Sequence, residues 1–178
     1  GRAGGLYCFT IDGDLVWNQD LGQFAGPWGT AASPLLVDSL VIQNCDADEN
    51  AHLVALDKST GREVWRTTRD DHRGWSSPIL VEMAGQRQVV LNGHTGVRAY
   101  VPETGEELWF CKSFNGRGSP TVTPAGELLH VVNGLAGDTY AIRPGGRGDV
   151  TNTHMAWHTP RKSGRDLPSP IVVDGHVL

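Results

Sequence analysis

The chain is poor in residues that build covalent or metal frameworks. Its three cysteines, Cys8, Cys45 and Cys111, are too few and too widely spaced for a disulfide scaffold or a structural zinc site. Lysine occurs only at Lys58, Lys112 and Lys162, and the formal net charge is −5. That balance does not suit nucleic acid, whose phosphates demand a basic footprint. The one basic run, Arg161-Lys162-Ser163-Gly164-Arg165, has no interleaved aromatics and reads as a solvated linker. No apolar run approaches the length that crosses a bilayer, and no segment sustains a helical period.

What the chain does have is glycine, 23 residues of it, six tryptophans, and a repeat. Ser-Pro recurs at Ser33-Pro34, Ser77-Pro78, Ser119-Pro120 and Ser169-Pro170, with spacings of 44, 42 and 50. Tryptophan keeps step at Trp17, Trp65, Trp109 and Trp157, with spacings of 48, 44 and 48. A period in this range is that of a propeller blade, a unit too small to bury its apolar faces alone.

Each unit resolves into four short strands rich in Val, Leu, Ile and Trp and broken by Gly, Asp, Asn and Pro. In the first unit these are 33–37, 40–43, 52–56 and 63–67. In the second they are 78–81, 88–91, 97–101 and 107–110, and in the third 120–123, 128–132, 139–142 and 155–158. The fold class is therefore all-β: a β-propeller of four-stranded antiparallel blades, as a partial ring of three full blades and two half blades. The boundaries are a half blade over 1–24, blades over about 25–69, 70–114 and 115–162, and a half blade over 163–178. The chain opens at Gly1 and stops within a strand-like run, so a piece of a larger ring is expected, completed by further blades or by self-association.

The turn before the fourth strand carries Asp57-Lys58-Ser59-Thr60-Gly61 and then Pro102-Glu103-Thr104-Gly105. Glycine there supplies the positive φ of a tight return. The tryptophans Trp17, Trp65, Trp109 and Trp157 follow on the fourth strand, where a large flat ring can cover the seam to the next blade. The segment Ala55 to Trp65, and its copies Ala99 to Trp109 and a degenerate Ala141 to Trp157, resemble the tryptophan-docking repeat of the PQQ-like β-propellers. In the last copy the threonine is lost and the turn expands through Gly145-Gly146-Arg147-Gly148. The resemblance implies a ring of about seven or eight blades and a place outside the cytoplasm, periplasmic, outer-membrane-associated or secreted. The superfamily holds PQQ- and calcium-dependent quinoprotein dehydrogenases and BamB-like non-catalytic scaffolds.

The dehydrogenases are marked by adjacent cysteines and an acidic calcium cluster; no Cys-Cys pair occurs here. Asp46, Asp48, Asn50 and Asp57 alternate like calcium-loop ligands, but Ala51 replaces the turn glycine, and a polar loop is the better reading. His154 and His158 read as lying on one strand, too far apart along it to share an ion.

Loops after the second strands and loops entering the first strands share one propeller face. They carry Asn44, Asn92 and Asn133 on one side, and Trp28, His72, Arg73, Trp75, Asn115, Gly116 and Arg117 on the other, with His94 beside Asn92. Amides, guanidinium groups and indoles together suit a carbohydrate, carboxylate or peptide ligand. For the asparagines a second reading stands beside this one, a turn residue that tolerates left-handed backbone. The candidate ligand-binding set is Trp28, Asn44, Arg73, Trp75, Asn92, His94, Arg117 and Asn133, with no catalytic residue, no metal ligand and no cofactor expected. The function that follows is a scaffold presenting one ring face to a protein or small ligand. The alternatives are a fragment of a PQQ- and calcium-dependent dehydrogenase and an adaptor or sensor domain fused to other modules.

Overall fold

The computed structural model describes residues 3–24, 28–114, 117–135, 137–161 and 168–178. They form a row of sheets, antiparallel but for one short parallel pairing in the second full blade. The first is a hairpin of β1 (Ala3–Phe9) and β2 (Leu15–Gln23). The next sheet is β3 (Leu35–Val37), β4 (Leu40–Cys45), β5 (His52–Asp57) and β6 (Glu63–Thr68), in sequence order. The second full blade repeats it with β7 (Ile79–Met83), β8 (Gln86–Asn92), β9 (Gly96–Tyr100) and β10 (Glu107–Lys112). The third has β11 (Thr123–Ala125), β12 (Leu128–Val132), β13 (Thr139–Ile142) and β15 (Met155–Thr159), with β14 (Gly148–Asp149) and a one-turn helix α1 (Thr151–His154) inserted before its last strand. A final hairpin joins β16 (Val172–Val173) to β17 (His176–Val177). This is a partial propeller, and no described helix is long and apolar enough to cross a membrane.

The core lies between the blades, because successive side chains of a strand point to opposite faces. In the second blade Val89, Leu91 and Tyr100 pack back onto Val37, Ile42, Leu53 and Trp65 of the first. Their neighbours Val90 and Ala99 face forward, onto Val122, Leu129, Tyr140 and Ile142 of the third. Middle strands such as β5 are buried on both faces, whereas β2 and β6 alternate or lie open. Each blade thus has two apolar faces and is covered only when sandwiched by its neighbours.

A relay of hydrogen bonds joins the innermost strands. The Ser33 N–H donates to Ser77 Oγ (2.9 Å), the Ser77 N–H to Thr121 Oγ1 (3.3 Å), and the Thr121 N–H to Ser169 Oγ (2.9 Å). This corrects the register expected for the third blade. Its counterpart of Ser33 and Ser77 is Thr121, not Ser119, and its first strand is Thr123–Ala125 rather than 120–123. The physical requirement is a hydroxyl that accepts the neighbour's amide, which threonine meets as well as serine.

The insertion supplies a second correction. His154 lies in α1 and only His158 lies on β15, so the two do not share a strand. Lys162, Ser163, Gly164 and Arg165 of the basic run, together with Asn115 and Gly116, lie outside the described residues.

Candidate functional site

Two tryptophans dock as the turn chemistry predicts. The Trp17 indole donates to the Lys58 carbonyl (2.9 Å) and lies over Gly61, where a Cβ would come within 2.6 Å of the ring. Trp65 donates to the Pro102 carbonyl (3.0 Å) and lies over Gly105 in the same way. Gly61 and Gly105 both have φ of +71°, a conformation costly for any residue with a Cβ. Trp109 is fully buried but gives its N–H to Gln88 of its own blade (2.7 Å). Trp157 is half-buried, its ring 5.9 Å from that of His130.

The asparagines are not the left-handed turn residues of the second reading. Asn44, Asn92 and Asn133 are fully buried, and none has positive φ. The Asn44 amide donates across the seam to the Ser76 carbonyl (3.0 Å), and Asn92 does the same to Pro120 (3.0 Å). The Asn133 carbonyl accepts the N–H groups of Arg117 (3.0 Å) and Gly118 (3.3 Å). These residues hold the loops that enter the next strands and so fix where the loop side chains stand.

Those loops do meet. Asp48 from the first blade, His72 and Arg73 entering the second, His94 of the second and Arg117 entering the third line one cleft of about 170 Å³. Arg73 pairs with Asp48 through Nη2 (2.8 Å) and Nε (3.0 Å), both side chains about one-third exposed. The Arg73 hydrogen bond, ahead of opposing desolvation, holds the Asp48 carboxyl below its ordinary range. The His72 and His94 rings lie 4.3 Å apart, tilted by 39°. Burial lowers the pKa of His94, and the charges of His72 and Arg117 lower it further.

Glycines make this convergence possible. A Cβ on Gly118 would sit 2.2 Å from the Gly93 carbonyl carbon, so the two backbones touch and set their neighbours Arg117 and His94 side by side. Beneath them lies a buried ion pair: Arg69 Nε donates to Asp46 Oδ1 (2.6 Å), Nη2 to Oδ2 (3.1 Å), and Nη1 to the Tyr100 hydroxyl. Burial alone would lower the Arg69 pKa, but Asp46 and Tyr100 outweigh it and hold the guanidinium charged. Gly74 and Gly93 have no Cβ because the space is taken, by Asp46 Oδ2 and Arg69 Nη2, each 2.6 Å from where one would stand. The cleft therefore has a rigid, charge-balanced floor.

Of the candidate set, the structure brings together Arg73, His94 and Arg117. Trp75 is turned aside, its N–H on the Gly29 carbonyl (3.0 Å), and Trp28 is 68% exposed on the same face. Sequence reasoning missed Asp48 as a cleft residue and missed the Asp46–Arg69–Tyr100 floor. No sequence signal separated the two carboxylates: residues two apart in extended backbone share a face, yet Asp46 pairs with buried Arg69 and Asp48 with Arg73 in the cleft. Asp57 caps its own turn, accepting from the N–H groups of Ser59 and Thr60. Away from the cleft, His158 pairs with Asp138 (2.5 Å) and stacks on Phe114 with ring centroids 3.6 Å apart.

Comparison with known proteins agrees with this architecture. The sequence family described as outer membrane protein assembly factor BamB matches residues 1–119. No curated protein matches the chain. Among solved structures, BamB from Moraxella catarrhalis is similar at 18% identity and a TM-score of 0.68, covering 95% of this chain and 50% of that one. A quinohemoprotein alcohol dehydrogenase, ADHIIG from Pseudomonas putida, gives 16% identity and a TM-score of 0.62, with 99% of this chain and 35% of that one covered. The quinohemoprotein alcohol dehydrogenase from Comamonas testosteroni gives 15% and 0.60, with 97% and 36% covered. The chain thus spans about half the BamB structure and about a third of either dehydrogenase. With two-thirds of its length matched by one family and three blades of that family's architecture, the chain belongs to the BamB-like PQQ-repeat β-propellers.

Proposed function

We propose that this propeller segment is a non-catalytic scaffold, working outside the cytoplasm, that presents its loop face to a protein or small ligand. One observation carries the reading. Side chains from loops of three successive blades converge in one cleft over a floor held by a buried ion pair. Display of this kind needs loops held on a rigid framework, and the hydrogen-bonded seams beneath the entering loops support that.

The alternative is a fragment of a PQQ-dependent dehydrogenase whose cofactor site lies mostly outside this chain. Cys45 and Cys111 lie in different inter-blade cores, and burial pushes both thiols up to about 12. Asp46 and Asp48 are each spent on an arginine. Among the described residues no group of three or more His, Cys, Asp or Glu side chains is placed to hold a metal ion. The dehydrogenase reading rests on likeness of fold alone, and one fold serves many functions.

A photo-crosslinking residue at exposed Trp28, on the loop face, is expected to capture a specific partner or ligand in cells. The same residue at Glu127, on the opposite face, is expected to capture none. Equal labelling at both positions counts against the scaffold reading, and thermal stabilisation by PQQ with calcium would favour the enzyme instead.

A further inference from the structure

The cleft has an electrostatic composition that restricts what it can hold. Arg73 and Asp48 neutralise each other, and their pairing uses Nε and Nη2 of the guanidinium. Arg117 makes no ion pair among the described residues, so its charge stands unbalanced beside two imidazoles. The nearby carboxylates are committed elsewhere. Asp70 accepts from Thr95 Oγ1 (2.6 Å) and pairs with Arg98 (2.9 Å), while Asp71 accepts the Ala51 N–H (2.9 Å). The volume is below that of a drug-sized ligand site and suits a small group.

Resting on the display reading, we infer that the cleft between His72, His94, Arg73 and Arg117 binds a small oxyanion, a carboxylate or sulfate-like group, and takes up a proton at His94 as it does so. The groups facing the histidine pair are Asp48 from the first blade, Arg73 from the loop that carries His72, and Arg117 from the third blade. Without an anion, a proton on His94 adds a second positive charge at close range to Arg117. An oxyanion between His94 and Arg117 removes that penalty, and the Arg117 guanidinium offers a fork of donors matched to two oxygens. Linkage then makes binding stronger as pH falls through the imidazole range.

The test uses the intact protein with histidine ring carbons labelled, titrated with sodium sulfate at constant ionic strength. Sulfate keeps its charge across the range, so any pH dependence belongs to the protein. The ring signals of His72 and His94 are expected to shift saturably, with affinity rising about fivefold between pH 7.5 and 5.5, while His176 stays still. Arg117→Gln is expected to weaken binding about tenfold, the loss of one charge-assisted contact. His94→Gln is expected to flatten the pH dependence, and a dependence as steep as that of the unaltered protein would overturn the proton linkage. Succinate in place of sulfate shows whether carboxylates share the site. Unmoved rings, or shifts that survive Arg117→Gln unchanged, would overturn the inference even where the loop face still captures a partner at Trp28.

Discussion

The second blade is joined to its two neighbours by different means. On one side Trp65 reaches across from β6 and lays its indole on the Gly105 turn. On the other, the third blade has lost that turn. Trp109 keeps its N–H at home on Gln88, and the third blade sends a strand across instead. That strand, β14, pairs in parallel with β10, Trp109 opposite Gly148 and Phe110 opposite Asp149. The Val150 N–H extends the pairing to the Phe110 carbonyl (2.8 Å), and Thr151 Oγ1 accepts the Lys112 N–H (2.9 Å). Val150 fills the core where the docking contact is missing. What a seam requires is a dry, hydrogen-bonded closure, and either an indole or a stretch of backbone can supply it.

Three measurements would break or sharpen that contrast. Trp109→Ala should have the largest effect, a loss of about 4 kcal/mol of unfolding free energy in denaturant titration, because it empties the centre of the second seam. A loss below about 1 kcal/mol would mean that the β14 clasp alone carries it.

Glycine substitutions come next. Gly105→Ala places a Cβ 2.4 Å from the Trp65 ring at a φ of +71° and should cost about 2–3 kcal/mol. Gly148→Ala has a similar φ of +66° but open space around it, and should cost only about 1 kcal/mol. Equal costs would show backbone strain, not the docked indole, to be the whole effect at Gly105.

The smallest effect is expected on acidification. Burial lowers the pKa of His52, on the first blade, and of His130, beside Trp157 on the third. A histidine whose folded pKa is depressed leaves the unfolded chain holding the extra proton, so its contribution is full above about pH 6.5 and fades as pH falls through the histidine range. Stability should decline from about pH 7 downward, before the carboxylates titrate. Replacing His52 and His130 by glutamine should flatten that decline, and an unchanged slope would remove both from the account.

Much of this architecture was legible in the chain. The tryptophan and Thr-Gly spacing gave the blades and the docked indoles at Trp17 and Trp65. Ser119-Pro120 misled, because the functional unit at that position is a hydroxyl and the chain supplies it at Thr121, two residues on. The cleft was half legible: the loop pattern pointed to Arg73, His94 and Arg117, since topology alone places entering loops and second-strand loops on one face. Asp46 and Arg69 could not be paired from sequence, because they stand 23 residues apart in loops of no fixed period. Asn44 and Asn92 escaped for a related reason, since a side chain bonded to another blade's carbonyl looks in sequence like a turn residue.

The relay from Ser33 through Ser77 and Thr121 to Ser169 has a direction: at every link the earlier blade gives an amide hydrogen and the later one receives it. The segment therefore has a donor side and an acceptor side, like a tongue-and-groove board. Any sheet docked against its leading side must offer a main-chain N–H toward Ser33, and any sheet docked against its trailing side must offer a hydroxyl to Ser169. A neighbour presented in the reverse sense would set N–H against N–H at Ser169, so the relay itself enforces blade polarity.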